Sequence, residues 1–162
     1  MKTLFLVRHA KSSWDDTALS DRDRPLNDRG KRDAPKLGER LARRGVHPDL
    51  ILSSPAVRAL ATAQIVAGQI GYAPDGIVVD DRLYATQADE LLNLIHALDD
   101  TLRTVMLVGH NPEMTALGHR LSAAITQMPT GAVAEFGFDA KSWSSIGRIE
   151  PVRVTLDCPK RS

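Results

Sequence analysis

Three places in the sequence set arginine or histidine just behind a short apolar run. Leu4-Phe5-Leu6-Val7 runs into Arg8-His9-Ala10-Lys11-Ser12, Leu50-Ile51-Leu52 into Ser53-Ser54-Pro55 and then Arg58, and Val105-Met106-Leu107-Val108 into Gly109-His110-Asn111-Pro112. Apolar runs of this length read as buried strands, and in an open α/β sheet ligands bind beyond the carboxyl ends of the strands. Guanidinium and imidazole groups gathered there suit an anion. Arg58 would sit in the first turn of a helix, where anions rather than cations are favoured; it makes sense there if an anion is shared between it and the helix amides. Arg8, His9, Arg58 and His110 show no obvious acidic partner and would repel one another unless something negative lay among them. A phosphoryl group fits, because planar guanidinium forks match its oxygens two at a time. A neutral imidazole can also attack phosphorus, and neighbouring arginines would hold its pKa down and keep it neutral near pH 7. The second imidazole, if protonated, would stabilise charge on the oxygens in flight. The chemistry implied is phosphoryl transfer, with a non-catalytic phosphate- or phosphoprotein-binding module as the alternative.

The elements that must position these groups alternate strand and helix. After the first strand, Ser12 to Leu26 reads as a long polar loop carrying Trp14, Asp15, Asp16, Asp21, Asp23, Arg22 and Arg24; loops of that length are often functional. Asn27 is a suitable N-cap for a helix over Asp28 to Arg44, with Ala34, Leu37, Leu41 and Ala42 on one face, a kink at Pro35 and a stop at Gly45. Its basic residues Lys31, Lys36, Arg40, Arg43 and Arg44 read as solvated surface. Ser54 and Pro55 suit the cap and first turn of a second helix running to about Ala67. Ile77-Val78-Val79 reads as a third strand. Asp89 to Leu98 reads as an amphipathic helix carrying His96, and another helix opens at Pro112 with His119 as a structural residue. Ala132 to Phe138 reads as a strand, Asp139 to Ser142 as a hairpin connection and Trp143 to Arg148 as an edge strand. Beyond Pro151 no pattern is visible, and the last residues are expected to be loose. Such βαβ alternation predicts an α/β fold, a three-layer α/β/α sandwich around a mostly parallel sheet with an antiparallel edge.

The 162 residues suit a single domain over 1–162 with a real core. A net charge of +1 gives no global field for nucleic acid or an anionic membrane, and aromatics at 4% give no base-stacking platform. The lone Cys158 excludes an internal disulfide and a cysteine-based zinc site, and the five histidines form no ligand cluster, so neither metal nor cofactor is expected. No apolar stretch reaches membrane-spanning length, and Arg8 interrupts the N-terminal apolar run too early for a signal peptide. A cytoplasmic monomer is expected.

The pieces Arg8-His9-Ala10-Lys11-Ser12, Asp23-Arg24-Pro25-Leu26 with Arg29-Gly30, Ser53-Ser54-Pro55 with Arg58-Ala59, Val108-Gly109-His110-Asn111 and Pro129-Thr130-Gly131 resemble, in order and over nearly the whole chain, the histidine phosphatase superfamily. That group is also called phosphoglycerate mutase-like, and the closer likeness is to its small phosphohistidine phosphatases of the SixA type. Ala10 departs from the glycine common after Arg-His. The resemblance implies that His9 is the nucleophile that becomes transiently phosphorylated, that Arg8, Arg58 and His110 complete the phosphate pocket, and that water then hydrolyses the intermediate without a metal. Arg24 is expected at the pocket rim, with Lys11 and Thr130 as further substrate-binding residues.

Many superfamily members carry a carboxylic general acid shortly after a strand and a leucine. The comparable segment here, Asp81-Arg82-Leu83-Tyr84-Ala85-Thr86, has no carboxylate after Leu83. General acid catalysis is worth ~10²–10⁴ in rate for an alkoxide leaving group, whereas the ring of a phosphohistidine can already carry its proton. The missing acid favours a phosphoramidate substrate, unless Asp80, Asp81 or Asp21 substitutes. A chain this short also has little room for an insertion roofing the pocket, so a residue on another protein's surface could enter. The expected function is a metal-independent phosphatase of phosphohistidine on a partner protein; a phosphatase of small phosphate esters is the alternative enzyme.

Overall fold

Strand β1, Lys2–Arg8, sends Leu4 and Leu6 to one face of the sheet and Phe5 and Val7 to the other. This period of two divides the core into two layers. In the computed structural model, which describes residues 1–159, the chain continues through α1 (Asp28–Arg43), β2 (Leu50–Ser53), α2 (Val57–Ile70), β3 (Val78–Val79), α3 (Ala88–His96), β4 (Thr104–Gly109), α4 (Glu113–Leu121), β5 (Val133–Phe138) and β6 (Arg153–Asp157). The strands form one sheet in the order β3-β2-β4-β1-β5-β6. β1 to β4 are mutually parallel, and β5 and β6 add an antiparallel edge. Helices α1 and α2 cover one face with Leu37, Leu41, Ala63 and Val66. Helices α3 and α4 cover the other with Leu91, Ile95, Met114 and Leu117. The three-layer α/β/α sandwich expected from the sequence is therefore present. No helix among the described residues is long and apolar enough to cross a membrane.

The helix-boundary residues act largely as their chemistry predicts. The Asn27 side chain accepts from the Gly30 amide at 2.8 Å to cap α1, and Gly45 takes the left-handed φ of 71° just past its end. Pro35 lies inside α1 without ending it. Arg40 and Arg44 are not merely solvated: the Arg40 Nε meets both carboxylate oxygens of Asp157 at 3.0 and 3.2 Å, and Arg44 pairs with Glu135, tying α1 to the antiparallel edge.

Two elements differ from the sequence reading. Trp143–Ser145 is a 3₁₀ turn rather than the start of an edge strand. Trp143 is fully buried, and its indole N–H donates to the Leu102 carbonyl at 2.9 Å, so this residue plugs the core. The edge strand is β6, within the segment beyond Pro151 that showed no pattern; its residues are half-buried or exposed on both faces and carry no apolar run. The expectation of loose terminal residues falls partly on 160–162, outside the described residues.

Candidate active site

Strand register brings the site together. Arg8 at the end of β1 stands beside Gly109 at the end of β4, and Val108 stands beside Ser53 at the end of β2. The residues that leave these strands, His9, His110 and Ser54, therefore emerge side by side at one sheet edge. The His9 amide donates to the Gly109 carbonyl at 3.0 Å, and the Ser54 amide to the Val108 carbonyl at 2.9 Å. The two imidazoles end with ring centres 5.1 Å apart, and Tyr84 packs edge-on against His110 at 5.5 Å. Arg58, in the first turn of α2, and Arg8 complete the cluster. All four residues line one cavity of about 440 Å³, together with Arg24, Lys11 and Thr130. Every site residue expected from the sequence is thus at the cavity, with Lys11 exposed and Thr130 half-buried.

Local bonds fix the rings. His9 Nδ1 lies 2.7 Å from the Ala10 carbonyl oxygen. A carbonyl only accepts, so Nδ1 carries the proton and, in the neutral ring, Nε2 carries the lone pair. The Ala10 amide donates to Thr62 Oγ1 at 3.0 Å, and that hydroxyl donates to the Arg58 carbonyl at 2.8 Å, so the turn after His9 is bolted to α2. The Ala10 methyl, where glycine is common, is buried against Leu26 and Ala34. His110 Nε2 lies 2.7 Å from Ser54 Oγ. Its Nδ1, with Arg8 Nε and Arg58 Nε, is buried and has no partner among the described residues. The Ser54 hydroxyl oxygen accepts from the Ala56 amide at 3.2 Å, as a residue at a helix start would, but it also meets His110, and α2 begins only at Val57.

The cluster does have an acidic partner. Asp21, in the 3₁₀ turn Asp21–Asp23 of the long loop, accepts from Arg58 Nη2 at 3.0 Å, from Arg24 Nε at 3.2 Å and from the Tyr84 hydroxyl at 2.7 Å. Its backbone carbonyl takes Arg58 Nη1 at 2.6 Å. The signal in the sequence was the Asp-Arg-Asp-Arg run, which puts Asp21 and Arg24 three residues apart. Asn111 was also missed: its Oδ1 accepts from the Thr115 amide at 3.1 Å, and its Nδ2 shares the Met128 carbonyl with Arg8 Nη1, each at 3.0 Å. An Asx residue followed by Pro with Thr four residues on is a readable cap for α4.

Burial, more than the arginines, sets the protonation of the rings. It pushes His9 down to about 4, opposed by the Ala10 carbonyl and reinforced by Arg58, Arg8 and Arg24. It pushes His110 down to about 3, reinforced by His9 and Arg58 and opposed by Asp21. His110 is therefore neutral at pH 7, not the imidazolium considered from sequence. It can still donate from Nδ1 if the Ser54 hydroxyl donates its hydrogen bond to Nε2. Of the substitute acids, Asp21 is held at about 2 by the Tyr84 hydroxyl and then by Arg58. Asp80 is held low by Arg82, and Asp81 faces solvent beside Arg22. Both Asp21 and Asp80 are thus ionised at neutral pH and have no proton to give.

The class this geometry defines is an α/β protein with a cationic cavity at the carboxyl ends of its parallel strands, where two imidazoles sit among guanidinium groups. The comparisons place it further. Residues 4–94 match the model of the histidine phosphatase superfamily (branch 1). The proposed phosphohistidine phosphatase SixA of Agrobacterium tumefaciens is 34% identical, with a TM-score of 0.76 over 83% of this chain and 90% of that one. The protein histidine phosphatase SixA complexed with tungstate shares the fold, with a TM-score of 0.78 at 24% identity over 96% of this chain and 94% of that one. An uncharacterized chloroplastic protein of Arabidopsis thaliana is 33% identical over 88% of this chain and 69% of its own length. The chain spans about two thirds of the length of several curated relatives it matches. It belongs to the histidine phosphatase superfamily, branch 1, and within it is of the SixA type. Relatives of this chain include both phosphatases and phosphoglycerate mutases.

Proposed function

We propose that this chain is a phosphatase of phosphohistidine on proteins and acts through a phosphoryl-enzyme formed at His9. The observation that carries the reading is the bond between His9 Nδ1 and the Ala10 carbonyl, 2.7 Å long. It commits the proton to Nδ1 and leaves Nε2, in a buried ring that burial keeps neutral, as the nucleophile. Nε2 attacks phosphorus while the bond from phosphorus to the substrate's imidazole nitrogen breaks. The departing ring takes that electron pair and leaves neutral, because its other nitrogen already holds a proton. Arg8, Arg58 and the Nδ1–H of His110 stabilise the equatorial oxygens. In the second half, a water oxygen bonds to phosphorus and the bond to Nε2 breaks. His9 leaves as neutral imidazole, with its proton still on Nδ1, and the proton lost by water passes to solvent.

The low pKa of Asp21 and of Asp80 supports this substrate over an ester, since an alkoxide would need a proton that neither holds. The surplus of cationic groups around the cavity disfavours a divalent metal, so a chelator is expected to leave turnover unchanged. Soluble proteins bearing phosphohistidine are the proposed partners, with one copy of the chain sufficient. The test is turnover of a phosphohistidine protein against a panel of small phosphate esters, with rapid-quench mass spectrometry under alkaline conditions. A phosphoryl adduct on His9 and preference for phosphohistidine are expected. Full activity in His9→Ala, or preference for the esters, overturns the reading.

A further inference from the structure

Trp14 lines the cavity but has no part in that scheme. Trp14 is 72% exposed, yet its ring is braced. The guanidinium carbon of Arg24 lies 3.3 Å from the ring centre, and Arg24 is itself buried and bonded to Asp21, Ser12 and Ser13. One face of the indole therefore rests on a fixed cation, and the exposure belongs mainly to the other face. Trp14 lines the cavity that holds His9, Arg58 and His110. With Lys11 and Ser12 it also forms a wall of the neighbouring cavity beside the start of α1.

His9 is only 6% exposed and lies at the inner side of its cavity, whereas Trp14 stands where the cavity meets solvent. Displacement in line requires the leaving group on the far side of phosphorus from His9 Nε2, and so towards the mouth. There the indole is the one large aromatic surface lining the cavity among the described residues. A flat, neutral ring can lie offset against it, which is the favoured geometry for two aromatic groups. An aliphatic amine has no such face, and if protonated it would meet the charges of Arg24 and Lys11. Aromatic surface held rigid needs no ordering when substrate arrives, which is why indole serves well in recognition.

We propose that Trp14 is a specificity-determining residue whose free face stacks on the planar leaving group of the substrate, selecting phosphorylated imidazole over phosphorylated aliphatic amines. The proposal rests on the phosphatase reading above. It is tested by the ratio of kcat/KM for a phosphohistidine peptide to kcat/KM for phosphoramidate, which releases ammonia, in the wild-type chain, Trp14→Phe and Trp14→Ala. Loss of one aromatic stack should lower that ratio roughly threefold to tenfold in Trp14→Ala, and Trp14→Phe should recover most of it. If Trp14 only braces Arg24, both substrates lose equally and the ratio stays constant, which overturns the proposal. Should the wild-type chain not hydrolyse phosphohistidine at all, the functional reading fails by itself. The stack is then read from the ratio of phenyl phosphate to an alkyl phosphate in the same three proteins, where an unchanged ratio overturns it.

Discussion

The hydroxyl of Ser54 lies 2.7 Å from Nε2 of His110, and both residues are buried. This contact occupies Nε2 and leaves Nδ1 as the ring nitrogen without a partner among the described residues. With the serine hydroxyl donating its hydrogen bond to Nε2, Nδ1 carries the ring proton and is the donor. Ser54→Ala removes the contact and leaves a buried imidazole nitrogen unpaired, at a cost of about 1–3 kcal/mol. Loss of the fixed tautomer should lower kcat by roughly tenfold to a hundredfold, and Ser54→Thr should recover part of it. Nitrogen NMR of the His110 ring and thermal unfolding check this. Ring shifts that are the same in wild type and Ser54→Ala would show that the serine does not set the tautomer.

Asp21 offers a sharper distinction between two roles. As a general acid it would contribute ~10²–10⁴ in rate. Held at about 2 by Tyr84 and Arg58, it instead bonds Arg58, and in the proposed site it would compete with substrate for that guanidinium. Asp21→Asn should therefore tighten binding of tungstate and lower kcat by less than about tenfold on a phosphohistidine substrate. Isothermal titration with tungstate and steady-state kinetics check the two halves; a collapse of kcat with unchanged tungstate affinity would restore the acid role.

Much of this site was legible because its residues follow apolar runs. Leu4–Val7 and Val105–Val108 are central strands covered on both faces, so they read as uninterrupted hydrophobic segments, and Arg8, His9 and His110 could be placed at their ends. Strand β6 escaped because an edge strand with exposed or half-buried faces has no such run. Ser54 was legible as a helix-start residue, and its hydroxyl does take the Ala56 amide, but only register, Ser53 beside Val108, reveals that His110 is within reach. Asp21 was hidden for a similar reason: it sits in a loop, and its partners Arg58 and Tyr84 lie 37 and 63 residues away.

Acid should weaken the fold through the two imidazoles. Both have folded-state pKa values below their ordinary value of 6.5, about 4 for His9 and about 3 for His110. Between those values the unfolded chain binds protons that the folded chain does not, so stability is full above about pH 6.5 and falls as pH drops through the window. The loss by pH 4 is on the order of 3 kcal/mol for each ring. An oxyanion between the rings would raise both pKa values and oppose this loss. Tungstate should therefore raise Tm more at pH 5 than at pH 8, as read by calorimetry at fixed tungstate. An equal shift at both values would mean that the rings do not face the anion.

Gly30 is the last determinant, and its role is steric. A Cβ at this position would lie 2.1 Å from the Lys11 carbonyl oxygen and 3.0 Å from the Lys11 nitrogen. The first turn of α1 thus touches the backbone two residues beyond His9, and the Asn27 amide donates to the same Lys11 carbonyl at 3.0 Å. Gly30→Ala must push these segments apart, at a cost of about 1–3 kcal/mol. The shift would propagate to Ala10, whose carbonyl holds the His9 proton. Activity should then fall further than stability alone explains. Gly68 in α2 is the control: nothing lies within 4 Å of a Cβ there, so Gly68→Ala should stabilise by about 0.5–1 kcal/mol through helix propensity and leave turnover unchanged. Urea unfolding with parallel kinetics on both variants checks the pair. A Gly30→Ala protein with wild-type stability and turnover would show that α1 does not set the position of the His9 turn.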